Sequence, residues 1–209
     1  MTTPLIQRRS FRPKPGLAFL EGQSLMTSRA HEFCGPSRRT LALIAAQKTT
    51  GPIFWIRPAW QAEQLYGDGL CDFIDPARLI FVTPRRVEDI LWALEEILRS
   101  GMVELAVCEC PGLPGLTPVR RLHLAAETAT REHNTQPIGL LLTPGNGGAA
   151  GVETRWHMRP AHHNKSNLWR LDRQRARMAP QKSWALSLDN RGVQLAPWHK
   201  AQPSEAVPA

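Results

Sequence analysis

The sequence predicts an α/β fold in which a mostly parallel sheet carries helices on both faces. Apolar runs and amphipathic segments alternate through the middle of the 209-residue chain. The runs are continuously apolar, as in strands that a parallel sheet covers on both faces. After the glycine-rich stretch 144–151, the segments are short, contain Trp and alternate polar with apolar residues. That change predicts two or three antiparallel C-terminal strands extending the sheet at one edge.

The first half of the chain supplies three of the predicted strands. Residues 29–35 are short and partly apolar, and segment 37–48 follows them with apolar residues at helical spacing. The run 51–58 is bounded by Gly-Pro and Pro, which predicts a buried strand. Residues 59–69 are interpreted as one or two helical turns ended by Gly. The run 77–84 is interpreted as another buried strand.

Two longer helices follow in the sequence pattern. Segment 85–101 carries one apolar stripe, and Gly101 stands where a C-cap glycine belongs. Segment 116–134 is predicted as a helix with Thr117 as its N-cap and Pro118 at its first position. Two further apolar runs predict strands, at 102–110 and 136–144.

The chain divides into three parts by composition. Residues 1–25 are rich in Pro, Arg and Gly and are interpreted as a basic N-terminal arm or cap. Residues 26–192 form the predicted domain, and residues 193–209 are interpreted as a flexible tail. The N-terminus lacks the apolar stretch of a signal peptide, and no apolar run approaches the roughly 20 residues that cross a bilayer. We therefore expect a cytoplasmic protein with no membrane partner.

The spacing of the cysteines and the distribution of charge along the chain narrow the range of functions to consider. The four cysteines form no CxxC pair, so we expect reduced thiols and no metal site. The net charge of +8 is uneven: +5 over residues 1–40, −3 over 41–150 and +6 over 151–209. Arg outnumbers Lys by 21 to 5, which suits phosphate or carboxylate recognition but equally fits an Arg-rich proteome. The basic ends are candidate surfaces for nucleic acid or an acidic protein.

One turn between a predicted strand and helix has parts of a phosphate-binding loop. A working loop reads G-x-x-x-x-G-K-[ST]: backbone N–H groups surround the phosphates, the Lys reaches them and the hydroxyl holds magnesium. This chain's version is two residues shorter, lacks the second glycine and has Arg in place of Lys. An ordinary strand-to-helix turn is the alternative. The nucleotide-binding candidates here are Gly35, Pro36, Ser37, Arg38, Arg39 and Thr40.

Three segments, taken together, resemble the core of the RecA superfamily: 31–43, 77–111 and 116–127. Within that superfamily the chain is similar to the ImuA family, the RecA-like accessory proteins of bacterial damage-induced mutagenesis. The similar features are "RRLHLAAE", the following "GLLL" strand and the late segment "TRW … LWRLDRQRAR … SWALSLD". The resemblance spans roughly residues 20–192, and the order and spacing of the set carry it. It implies a RecA-like sheet.

The resemblance also assigns roles to individual positions. It places Gly35–Thr40 on the Walker A position and Glu109 where the Walker B acid ends its strand. The catalytic Glu of RecA-type enzymes should follow the second strand, where this chain has Arg57 and no carboxylate. Glu63 is the nearest downstream acid, and we expect it on the next helix. A shortened loop without its Lys and without a base predicts a vestigial site and no cofactor, with ATP and magnesium as the alternative.

The implied function is that of a non-hydrolysing accessory protein in error-prone translesion synthesis during the SOS response to DNA damage. The implied partners are a catalytically inactive Y-family polymerase homologue resembling ImuB, an error-prone DnaE-type polymerase, the RecA filament and DNA. Two alternatives stay open. One is a DNA-dependent ATPase with a rebuilt phosphate loop, and the other is a cell-division inhibitor resembling SulA.

The late basic segment supplies the candidate contact residues for DNA or a protein partner. In a regular strand, Arg173, Arg175 and Arg177 would share one face, and basic groups beside aromatic rings suit single-stranded nucleic acid. The alternatives are an edge strand kept soluble by charge and a protein-binding edge. The full candidate set is Arg155, Arg159, Trp169, Arg170, Arg173, Arg175, Arg177 and Lys182.

Overall fold

The computed structural model describes residues 16–162, 167–177, 179–189 and 192–198. Its strands are β1 (Gly16–Leu20), β2 (Gln23–Met26), β3 (Arg29–Cys34), β4 (Ile53–Ile56), β5 (Leu79–Val82), β6 (Leu105–Glu109), β7 (Ile138–Leu142), β8 (Thr154–Pro160), β9 (Leu168–Ala176), β10 (Lys182–Asp189) and β11 (Gly192–Pro197). Its helices are α1 (Arg38–Ala46), α2 (Gly67–Cys71), α3 (Val87–Ser100) and α4 (Leu116–His133), with a 3-10 turn at Pro76–Arg78.

Nine of the strands form one mixed sheet in the order β11-β10-β9-β8-β3-β7-β6-β4-β5. All neighbours from β8 to β5 run parallel, whereas β8, β9, β10 and β11 pair antiparallel in succession. Strands β1 and β2 form a separate hairpin. The prediction of an α/β fold with an antiparallel C-terminal extension is therefore confirmed, with one strand more than expected.

Helices cover both faces of the parallel part. Helix α1 and the β1–β2 hairpin lie on one face, over a core that contains Phe33, Trp55 and Trp156. Helices α3 and α4 pack together on the other face, over a second core around Leu94 and Leu141. Among the described helices, none is both long enough and apolar enough to span a membrane.

Helix α3 follows its sequence pattern closely, but two neighbouring predictions need correction. Gly101 ends α3 in the left-handed region (φ 64°), as the apolar stripe and glycine predict. Helix α4 begins two residues earlier than expected, at Leu116, so Gly115 and not Thr117 is its N-cap residue. The turns predicted over 59–69 are also misplaced, because α2 begins only at Gly67. The residues before it are irregular and carry hydrogen bonds of the candidate site.

Strand β5 is an edge strand and is not buried as predicted. Among the described strands it pairs with β4 alone, and Ile80 and Phe81 remain 42% and 47% exposed. A continuous apolar run has the same appearance at the centre and at the edge of a parallel sheet. The position of β5 depends on the order of the strands, which the local pattern does not contain.

The two ends of the chain are more structured than the composition suggests. Within the interpreted arm, residues 16–20 and 23–25 belong to the β1–β2 hairpin, while residues 1–15 lie outside the described part. Within the interpreted tail, Val193–Pro197 pairs with β10, so a flexible tail from residue 193 is wrong for this segment. Residues 199–209 lie outside the described part.

Buried His31 predicts a loss of stability in mild acid. Burial, aided by the charges of His123 and Arg29, lowers the pKa of His31 to about 4, although a hydrogen bond to Met26 opposes the shift. Because the unfolded chain binds this proton near pH 6.5 and the folded chain does not, stability falls as pH drops from about 6.5 to 4. The slope is at most about 1.4 kcal/mol per pH unit for this group.

Urea unfolding of the wild type and of His31→Gln at a series of pH values tests this expectation. The free energy of unfolding of the wild type should decline faster below pH 6.5 than that of the variant. Equal slopes for the two proteins would contradict the assignment of the acid sensitivity to His31.

Candidate functional site

The parallel topology brings three chain segments together at the carboxyl edge of the sheet. The turn Gly35–Ser37 follows β3, Glu109 ends β6 and Arg57 follows β4. These strands lie near one another in the order β3-β7-β6-β4 and point the same way. Ligands of open α/β sheets bind at this edge. The nucleotide-site candidates therefore do lie in one region.

Glu109 lies on the α1 side of the sheet and is only 4% exposed. Trp55 donates from Nε1 to Glu109 Oε1 at 2.8 Å, and Gln61 donates from Nε2 to Oε2 at 2.7 Å. Arg39 donates from Nε to both oxygens at 3.1 Å and from Nη2 to Oε2 at 2.7 Å. Both carboxylate oxygens are therefore satisfied by the protein itself.

Arg39 stands at the position where a phosphate loop has its Lys, and two carboxylates hold it. Besides Glu109, Glu63 accepts a hydrogen bond from Nη1 at 2.9 Å. Burial alone would lower the pKa of Arg39, but the hydrogen bonds and charges of Glu109 and Glu63 outweigh it and hold the pKa above its usual value. The positive charge of Arg39 is thus balanced by two carboxylates of the protein itself.

The irregular residues 59–66, here called the strap, close this site from the side. Arg57 donates from Nη1 to the Gln61 carbonyl at 3.1 Å, which fixes the strap behind β4. From the strap, Gln61 reaches Glu109 and Glu63 reaches Arg39. Glu63 was expected on a helix, but it precedes α2 and its side chain is 76% exposed. It therefore serves as an ion-pair partner of Arg39.

The backbone N–H groups of the turn are also occupied. Gly35 N–H donates to the Gly145 carbonyl at 2.9 Å, and Ser37 N–H donates to the Met158 carbonyl at 3.1 Å. Arg38 N–H closes onto the Gly35 carbonyl at 3.3 Å, and Arg38 Nη1 donates to the same oxygen. A phosphate loop instead directs such groups at its ligand.

The other members of the predicted loop add no phosphate-binding group. Pro36 is exposed, and Ser37 is buried and precedes α1 without a side-chain capping bond. Thr40 is half-buried in the first turn of α1. The structure thus places the six loop candidates close to Glu109, in an arrangement that joins parts of the protein to one another.

Gly35 is required by the close approach of β8. Its φ is +87°, and a Cβ there would lie 2.4 Å from the Met158 carbonyl oxygen and 2.8 Å from His157 Nε2. We expect Gly35→Ala to lower the free energy of unfolding by at least about 2 kcal/mol, because both backbone strain and the clash oppose folding. Urea denaturation measures this loss, and Gly67→Ala, where a Cβ would meet nothing within 4 Å, is the control. An unchanged midpoint for Gly35→Ala would contradict the assignment.

Arg155, one of the predicted contact residues, is engaged inside the protein. Its Nε donates to Oε2 of Glu32, which is 0% exposed, and its Nη2 donates to the Ala149 carbonyl at 2.9 Å. Glu32 Oε1 also accepts hydrogen bonds from Thr143 Oγ1 and from two backbone N–H groups, of Gly148 and Ala149. This ion pair fixes the glycine-rich loop after β7, so Arg155 is unavailable to a partner.

The prediction that Arg173, Arg175 and Arg177 share one face is wrong. Strand β8 pairs Trp156 with Arg173 but Arg155 with Arg175, which leaves Gln174 as the extra residue of a β-bulge. Partners across a sheet share a face, so Arg173 lies with Trp156 and Arg175 lies on the opposite face. A bulge of this kind cannot be recognised from the alternation of polar and apolar residues in the sequence.

Arg173 belongs to an internal stack. Its guanidinium carbon lies 5.6 Å from the Trp156 ring centre and 5.2 Å from that of Trp184. It also donates to the Pro180 carbonyl and to Gln23 Oε1. Desolvation by burial lowers its pKa. Like Arg155, it stabilises the fold.

The remaining candidates divide between the two faces of the extension. Trp169 is buried in the first core against His162, and Lys182 is exposed beside the Trp184 ring, on the side of Arg173. On the opposite face lie Arg159, Arg170 and Arg175, and Arg177, which follows the end of β9, lies 3.5 Å from Glu153 next to this face. The structure therefore gathers four of the eight predicted contact residues into one group, in which Arg170 is half-buried and the other three are exposed.

Sequence reasoning missed Glu32, Trp55 and Gln61. A carboxylate inside the partly apolar strand 29–35 was a signal for Glu32, since a buried charge needs a partner. Trp55 and Gln61 had no signal, because their role depends on where β4 and the strap meet Glu109.

No model of a known protein family matches the chain, and no curated protein matches it significantly.

Proposed function

We propose that the protein is a non-hydrolysing, RecA-like accessory protein of damage-induced error-prone translesion synthesis, acting through contacts with other proteins and with DNA. The observation that carries the proposal is the ion pair between Arg39 and Glu109. The cation that would meet a nucleotide's phosphates and the acid that would hold its magnesium are bonded to each other.

Two further features support the absence of hydrolysis. Hydrolysis needs a group that orients or deprotonates the attacking water. The position after β4 holds Arg57, whose side chain bonds the strap, and Glu63 is paired with Arg39. The backbone donors of the turn are also occupied, so this edge offers little to a triphosphate.

The RecA-like part of the proposal draws on the sequence resemblance and is supported by the topology. A central strand, a turn and a helix stand where the resemblance places the Walker A segment. The acid at the end of β6 faces that turn across the same edge of a parallel sheet. A fold that keeps this layout without its chemistry is suited to binding other macromolecules. By the resemblance, these are an inactive Y-family polymerase homologue, a DnaE-type polymerase and RecA.

Two measurements on the purified protein test the proposal. Calorimetric titration with ATP and magnesium, with phosphate release followed in parallel, should show neither binding nor turnover. The protein should retain a purified inactive Y-family polymerase homologue on a sizing column. Phosphate release that Arg39→Ala abolishes would overturn the proposal in favour of an ATPase. A polymerase homologue that elutes separately would contradict the accessory role.

A further inference from the structure

The outer strands present an exposed polar face on the side of the sheet that α3 and α4 cover elsewhere. Those helices pack over β3, β4, β6 and β7. Beyond them lies the arginine face, defined here by Arg159, Arg170, Arg175, Arg177 and Trp198. The reverse side of the same strands forms part of the first core, through Trp156, Leu171 and Trp184. One side of the extension thus serves the fold, and the other is open.

Only some of the positive charges of the arginine face are paired with carboxylates of the described residues. Arg170 donates to Asp172 at 2.9 Å, and Arg177 lies 3.5 Å from buried Glu153. Within the described ranges, exposed Arg159 and Arg175 have no ion-pair partner. Arg159 also lies directly across from Arg170, and such like-charge pairs destabilise a sheet. This concentration of positive charge therefore does not serve folding.

An aromatic ring accompanies these charges. The Arg170 guanidinium carbon lies 5.2 Å from the centre of the Trp198 ring, and Trp198 is half-buried on this open side. Cationic groups that contact phosphates, beside a ring on which a base can stack, are the combination that single strands require. An acidic protein would be attracted by the same charges but does not need an aromatic ring on which a base can stack.

We propose that the arginine face binds single-stranded nucleic acid. Arg159 and Arg175 contact phosphates, and Trp198 with Arg170 supplies the stacking platform. The inference rests on the proposed accessory function for its setting, since DNA under lesion bypass is single-stranded. It assigns the contact to the C-terminal extension and not to the carboxyl edge occupied by Arg39 and Glu109.

Fluorescence anisotropy of labelled oligothymidylate with the full chain, at several salt concentrations, tests the proposal. Arg159→Ala with Arg175→Ala should weaken binding about tenfold and reduce the salt slope by about 1.4, since each single-strand phosphate contact contributes about 0.7. Trp198→Ala should weaken binding while leaving the salt slope unchanged. The control, Lys48→Ala with Arg85→Ala, removes the same charge from exposed positions in the segments that follow α1 and precede α3, and should have little effect.

Two results would overturn the assignment of oligonucleotide binding to the arginine face. If the arginine pair and the control pair weaken binding equally, only the net charge of the protein matters and the arginine face is not the binding site. If the wild type fails to bind the oligonucleotide but the arginine pair loses the polymerase homologue, the face serves an acidic protein. Oligonucleotide binding that persists while the polymerase homologue is not retained defeats the accessory function alone. The two proposals therefore fail separately.

Discussion

Replacing Arg155 with Met is expected to lower the free energy of unfolding by about 3–5 kcal/mol, because it leaves a buried carboxylate without its counter-charge. Glu32 is 0% exposed, and Arg155 is 18% exposed in its side chain. Thr143 and two backbone N–H groups would still bond Glu32, but none carries a positive charge. Urea unfolding followed by circular dichroism gives the loss directly.

Arg159→Met is the matched control, since Arg159 lies four residues further along β8 on the same face but is exposed. Its effect should stay within about 0.5 kcal/mol. The double variant Glu32→Gln with Arg155→Met should be more stable than Arg155→Met alone, because it removes the unpaired charge. Equal losses for Arg155→Met and Arg159→Met would show that the internal ion pair does not stabilise the fold.

Replacing Arg39 with Ala is expected to cost about 2–3 kcal/mol of folding free energy, since Glu109 keeps only its neutral donors Trp55 and Gln61. In a working phosphate loop the corresponding change would chiefly remove nucleotide binding. Here the cost should appear in stability, because both partners belong to the folded protein.

A double-mutant cycle with Glu109→Gln isolates the interaction. Arg39→Ala should cost much less in the Glu109→Gln background than in the wild type, giving a coupling of about 1–3 kcal/mol. Arg38→Ala is the neighbouring control, because among the described residues the Arg38 side chain bonds only the Gly35 carbonyl. Additive losses from Arg39→Ala and Glu109→Gln would mean that the observed ion pair contributes nothing to stability.

The local sequence pattern was sufficient to predict those helices and strands whose structure depends mainly on their own residues. The apolar stripe and the terminal glycine of α3 specify a helix, and the apolar runs of β6 and β7 specify strands. Strand order lies outside such patterns, so β5 was assigned to the interior although it stands at the edge. The helical turns expected near residue 60 do not form; this segment is irregular, and its Gln61 bonds Glu109 at the end of β6.

The candidate sites show the same division between local and distant information. Sequence reasoning found the weak phosphate loop and its acid, but the pairing of Arg39 with Glu109 joins residues 70 positions apart. Sequence reasoning could not distinguish the internal Arg155 from the exposed Arg159, because both occupy the same face of β8. They differ in their neighbours, which are Glu32 for Arg155 and Arg170 for Arg159. The bulge at Gln174 likewise depends on how β8 and β9 meet.

The attachment of the C-terminal strands to the parallel body has a consequence for local unfolding. β8 pairs with β3 only through Glu32, Phe33 and Cys34, whereas β8 to β11 pair with their sequence neighbours along most of their length. Contacts between neighbours in sequence close short loops and reform quickly, while the β3 pairing closes a loop of more than a hundred residues. We therefore expect the four strands to open as one unit, with amide protons that exchange with solvent together, ahead of those in β6 and β7.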